Sequence, residues 1–214
     1  MPFDLLSVVG TLAIKRPIFH SEADFQHALA WQIHERLPSY NLRLEYPRPL
    51  SPDRNIHVDI WLEGNHEAAA IEVKYKTRSL RASLQGENFQ LLDQRAQPIG
   101  RYDFVKDIER LEKIASTNKN MVGSALMLTN DSAYWKIPKR ADAVDAAFRI
   151  HDGRVLSGVL QWGELASEGT TVDRSNAITL TGTYELKWRD YSIVGDYSYS
   201  AFRFLCVQVG WSEL

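Results

Sequence analysis

One cysteine, Cys206, stands in 214 residues. No disulfide can form within the chain, and such sparing use of cysteine is that of a reducing compartment. No apolar run approaches the roughly 18 to 20 residues needed to cross a bilayer. The first seventeen residues, MPFDLLSVVGTLAIKRP, carry an acid at position 4 and no basic stretch ahead of the apolar one, so they match a signal peptide poorly. These absences predict a cytoplasmic protein without membrane association. An excess of positive charge is also missing: 25 Lys and Arg stand against 27 Asp and Glu, a net charge of -2. Any nucleic-acid surface is therefore local rather than global. Neither GxGxxG nor GxxxxGK[ST] occurs, so nucleotide-driven activity would need a partner. No HExxH, GxSxG or Cys–His arrangement suggests zinc proteolysis or acyl transfer. No repeat of 20 to 50 residues and no low-complexity tract interrupts the chain.

What is present is a globular composition, 44% hydrophobic and 24% charged, in a chain long enough to build its core without staples. Ser21 to about Leu37 is predicted as a helix, with Ser21 as N-cap and Phe25, Ala28, Leu29 and Ile33 as its apolar stripe. Arg43 to Tyr46 has the makings of a short strand, and Pro47, Pro49, Ser51 and Pro52 then mark a loop. Ile56 to Glu63 alternates, placing Ile56, Val58, Ile60 and Leu62 on one face and His57, Asp59, Trp61 and Glu63 on the other. After the turn signal Gly64-Asn65, Ala68 to Lys76 continues as a second strand. The polar stretch Arg78 to Pro98 is expected to be loop with a helical piece. Arg101 to about Ser116 is an amphipathic helix, Val122 to Thr129 a buried strand, and Asp142 to Ile150 a further helix. Beyond that, Thr179 to Trp188 and Phe202 to Val209 are strand-like. The order predicts an α/β fold. No linker divides the chain, so one domain over 1–214 is expected, with a core over about 18–150 and a β-rich C-terminal extension over about 151–214.

Chemistry concentrates at the predicted hairpin. Strand residues two apart share a face, so Glu72 and Lys74 of IEVKYK point together, away from Ile71, Val73 and Tyr75. If the two strands pair, Asp59 approaches Glu72. Two adjacent carboxylates repel unless a proton or a cation neutralises one. A divalent metal is the natural solution, since Mg²⁺ is commonly held by one or two carboxylates plus waters and phosphate oxygens. Lys74 beside it would supply a positive point charge.

Asp59, followed thirteen residues on by Glu72-Val73-Lys74 after an acidic helix, resembles the restriction-endonuclease-like PD-(D/E)XK nuclease superfamily over residues 20 to 130. The resemblance implies a mixed central sheet flanked by helices. It also implies a Mg²⁺ (or Mn²⁺) ion on Asp59 and Glu72, Lys74 as the catalytic lysine, Glu22 as a supporting acid, and hydrolysis of phosphodiester bonds in DNA. Val58 stands where the name-giving proline would be, and the region after 150 matches nothing in the family pattern. The residues themselves do not distinguish DNA from RNA. Glu185-Leu186-Lys187, with Asp173 twelve residues upstream, mimics the spacing, but Asp173 lies in a turn-like string and one strand alone follows.

Glu22 is a separate signal, because it precedes Phe25 and Leu29 by three and seven residues, on the inward stripe where an unpaired carboxylate would be costly. Lys76, Arg78, Arg81 and, further on, Lys106 form a basic series suited to a phosphate backbone. Two other readings stand beside the nuclease. One is a nuclease-fold module that no longer cleaves and binds or regulates within a larger complex, as a homo-oligomer or with a protein partner. The other is an unrelated interaction protein whose hairpin charges are a solvated face, with Glu22 an ordinary first-turn acid.

Overall fold

The computed structural model of the chain describes residues 4–51 and 54–210; Pro52, part of the predicted loop, lies outside them. The chain opens with α1 (Leu5–Lys15) and α2 (Glu22–Arg36), followed by β1 (Asn41–Ser51), β2 (Arg54–Gly64) and β3 (Glu67–Lys76). The β4 (Leu80–Leu84) and β5 (Glu87–Leu91) hairpin leads to α3 (Gln97–Ala115) and β6 (Met121–Thr129). Then come β7 (Val155–Leu160), the one-turn α4 (Glu168–Thr171), β8 (Ile178–Glu185), β9 (Trp188–Ile193) and β10 (Ala201–Gly210).

Six strands form a mixed sheet in the order β1-β2-β3-β6-β10-β9. The β3–β6 pair is parallel, and α3 makes the crossover between them, as a parallel pair requires. The other neighbours are antiparallel. Two strands from the C-terminal third, β10 and β9, complete the sheet. α1 and α2 cover one face, burying Val8, Leu12, Phe25, Leu29 and Ile33 against Ile60, Ile71, Val73 and Leu126. α3 and the β7–β8 pair cover the other, where Phe104, Ile108 and Leu111 meet Ala70, Ala125, Met127 and Leu205. No helix of the described residues is long and apolar enough to cross a membrane.

Ser21 caps α2 as its side-chain oxygen accepts the Asp24 N–H at 3.2 Å. The β2–β3 turn is Asn65-His66, both with positive φ (53° and 64°), the geometry of a two-residue type I′ hairpin.

Four local expectations need correction. Residues 47–51 belong to β1 rather than a loop, because β1 is an edge strand, where proline's missing N–H is tolerated. The stretch after Arg78 is the β4–β5 hairpin, turned by Gln85 and Gly86 at positive φ, and α3 starts at Gln97 with a proline in its first turn. Within 142–150 the helical part is one 3₁₀ turn, Ala146–Phe148. Finally, β2 does not keep one apolar face. Ile60 and Leu62 join the α1–α2 core, whereas Ile56 and Val58 join the α3 core. The roll occurs at Asp59, opposite Glu45 of β1, whose φ is 49°. Its cause is the pairing: β2 meets β3 from Gly64 back to Ile60, and beyond that point the β1–β2 ribbon is two-stranded and free to coil.

Candidate active site

The parting of β2 from β3 defines the site. Where the ladder ends at Ile60–Ile71, β3 still pairs with β6 on its other side, and its next N–H groups lose their strand partner. Two carboxylates take them up. Asp59 Oδ2 accepts the Val73 N–H at 2.6 Å, and Glu22 Oε2, from the first turn of α2, accepts the Tyr75 N–H at 2.7 Å. Each is a charge-assisted bond to a backbone donor that would otherwise be unpaired. Gln26, one helical turn after Glu22 and buried, fixes the roll of the ribbon. Its Nε2 donates to the Asp59 carbonyl at 2.7 Å and to Glu45 Oε1 at 2.8 Å.

Glu72 and Lys74 project from β3 toward α3. Lys74 Nζ lies 2.7 Å from Asp107 Oδ2 and donates to the Val73 carbonyl at 3.2 Å. Asp107 is only 3% exposed, and its other oxygen accepts from Arg110 Nη1 at 3.0 Å. Arg110 Nη2 lies 3.2 Å from Glu72 Oε1 and donates to the His57 carbonyl. Glu72 is 2% exposed, and beyond that 3.2 Å ion pair its Oε1 has no partner in hydrogen-bond geometry among the described residues.

Electrostatics follow from that burial. Glu72 is pushed up to about 9, first by desolvation, then by Asp107 and Asp59, with Arg110 and Lys74 opposing. Asp59 is raised by burial against the pull of Lys74 and the Val73 N–H. For Lys74, burial acts to lower the pKa, but Asp107 and Asp59 reverse it and hold the ammonium charged.

The carboxylates supply hard oxygen donors of the kind Mg²⁺ and Mn²⁺ take. Among the described residues no group of three or more His, Cys, Asp or Glu side chains is arranged to hold a metal. The fit therefore rests on Asp59 and Glu72, a largely buried pair of acids close enough that Asp59 helps raise the Glu72 pKa, with Arg110 already set against Glu72 Oε1.

Of the remaining candidates, Lys76 stands beside the site, 3.9 Å from Glu22. Arg78 is occupied elsewhere, 2.7 Å from Asp93 and over the Tyr199 ring. Arg81 is exposed on β4, in a separate groove with Phe89 and Tyr197. Lys106 lies on α3, bonded to Glu109. The mimic is a surface feature: Glu185 and Lys187 pair with each other at 2.8 Å, both exposed, and Asp173 sits in a left-handed turn. Asp107, Arg110 and Gln26 are not among the residues the sequence points to. A signal for Asp107 exists, because it falls between Phe104 and Leu111 on the inward stripe of α3, where a charge needs a partner.

Compared with models of known protein families, with curated proteins and with solved structures, the chain matches none.

Proposed function

We propose that the chain is a metal-dependent nuclease with a restriction-endonuclease-like core, hydrolysing phosphodiester bonds in DNA in the cytoplasm. One observation carries the reading. Glu22, Asp59, Glu72 and Lys74, drawn from a helix and two strands, converge where β2 leaves β3. A solvated charged face has no reason to bury Glu72 or to hold two acids against one strand edge. The mixed sheet, with α2 and α3 on opposite faces, supports the fold assignment.

In this reading Asp59 and Glu72 hold Mg²⁺ or Mn²⁺, which when bound supplies Lewis-acid neutralisation of the phosphate's charge. Lys74 offers a positive donor to the scissile phosphate or the attacking water. Asp107 keeps that ammonium charged and aimed. Glu22 and Gln26 hold the edge of β3 and the roll of β2, so that Asp59 stays beside Glu72. A second reading, the silent binding module, draws on a different observation: Lys74 and Glu72 each already have a partner on α3.

Calorimetry with Mg²⁺ and Mn²⁺, paired with cleavage assays on plasmid, linear and branched DNA and on RNA against EDTA, separates them. The nuclease binds metal and cuts, and Asp59→Ala loses both. A wild type that binds metal and nucleic acid but cuts nothing is the silent module. If no divalent metal binds and Asp59→Ala changes nothing, both readings fail.

A further inference from the structure

A polar groove of about 490 Å³ opens on the outer side of α3. One wall is α3 itself, through Tyr102, Lys106, Arg110 and Lys113; the others are Ile56 of the rolled β1–β2 ribbon and the segment around Arg174. Arg110 is common to this groove and the candidate active site, since the same guanidinium contacts Glu72 and Asp107. The groove therefore ends at Arg110, whose guanidinium joins its lining to the buried Glu72 and Asp107.

Four cations in its lining, Lys106, Arg110, Lys113 and Arg174, outnumber three acids, Asp103, Glu109 and Asp173, by one charge. Lys106 and Lys113 share a single carboxylate oxygen, Glu109 Oε2, at 2.6 and 3.0 Å. The other oxygen of Glu109 accepts the Thr179 N–H at 3.1 Å. One carboxylate cannot neutralise two ammoniums, and each ammonium has three N–H donors, so one positive charge and unused donors remain at this pair. Arg174 adds a guanidinium held in place by Asp103 at 2.7 and 3.0 Å. A chain of phosphates, each an acceptor with one negative charge, is the ligand chemistry this row fits.

We propose that the DNA backbone runs along this groove, on Lys106, Lys113 and Arg174, and reaches the active site past Arg110. The proposal rests on the nuclease reading for its substrate class. It gives the C-terminal third of the chain a part in substrate binding, through Arg174. It also places the DNA on α3 rather than along the Arg78–Arg81 series.

The test is fluorescence anisotropy with a labelled mixed-sequence DNA duplex in EDTA, over a series of salt concentrations, so that binding is read without cleavage. Lys106→Ala/Lys113→Ala and Arg174→Ala should each weaken binding. They should also flatten the dependence of log K on log salt by about 0.9 for each phosphate that the variant no longer neutralises. Arg174→Lys should keep the slope, which separates a charge effect from a folding defect. Lys15→Ala, on α1 on the far face of the sheet, should change nothing. Unchanged slopes in the groove variants, with a reduced slope in Arg81→Ala, would overturn the proposal. A wild type that binds no DNA overturns it as well. Cleavage by a wild type whose groove variants bind normally removes the groove and leaves the nuclease reading standing. Groove-dependent binding without cleavage under Mg²⁺ does the reverse.

Discussion

Lys74 Nζ and Asp107 Oδ2 lie 2.7 Å apart, joining the third strand of the sheet to the helix that crosses above it. Both side chains are largely buried, so the pair is costly to break from one side. Asp107→Ala leaves an ammonium and the Arg110 guanidinium facing each other without their shared acid. Urea denaturation should show a loss of about 3–5 kcal/mol, the usual cost of orphaning one partner of a buried ion pair. A loss below about 1 kcal/mol would mean that the pair behaves as a surface contact.

Stability should fall as pH rises through the neutral range. Glu72 has a native pKa of about 9 against an unfolded value near ~4.3. Below the unfolded value both states hold the proton. Between the two values only the native state does, so this group's contribution is lost as pH climbs toward 9. Chemical denaturation between pH 6 and 8.5 should show the decline in the wild type and a flatter profile in Glu72→Gln. Parallel profiles would show that Glu72 does not carry the effect.

Lys74→Ala should separate binding from chemistry. With Asp59 and Glu72 intact, divalent-metal binding by calorimetry is retained, while single-turnover cleavage slows by ~10² to 10⁴, the worth of a positioned proton-transfer or charge-stabilising group. Loss of metal binding in this variant would assign Lys74 a structural part instead.

Gly123 of β6 lies directly under α3. A Cβ there would meet Leu111 Cβ at 2.9 Å, closer than real side chains approach. Gly123→Ala should therefore destabilise the chain by roughly 1–3 kcal/mol through overpacking. Thermal unfolding measures it, and an unchanged midpoint would mean that α3 rises freely from the sheet.

The parts of the fold visible in the sequence are those whose signals are local. Ser21 with the Phe25–Leu29–Ile33 stripe marks α2, and the apolar run ending in Ala125–Leu128 marks β6. The β4–β5 hairpin stays hidden because its five-residue strands are polar on their exposed sides and carry few β-branched residues. Proline hides the second half of β1, since proline punctuates a chain everywhere except at a sheet edge. Alternation over Ile56–Leu62 predicts a single face, and strand pairing overrides it at Asp59. At the candidate site, the spacing of Asp59, Glu72 and Lys74 is readable, as is the place of Glu22 beside the sheet, where it reaches the Tyr75 N–H with its side chain still 42% exposed rather than buried. Arg110 is not, because Glu72 and His57, which it contacts across the site, are remote in sequence, and a partly exposed arginine on a helix gives no signal by itself.

Along α3, residues that serve the site alternate with residues that grip β8. Asp107 and Arg110 reach Lys74 and Glu72, while Glu109 takes the Thr179 N–H. Glu112 takes the N–H groups of Thr181 and Gly182 and the Tyr184 hydroxyl. The two sets interleave within a single turn or two of a helix that is a rigid body over this length. α3 therefore carries both attachments on one continuous backbone, so β8 and the candidate site are anchored to the same element.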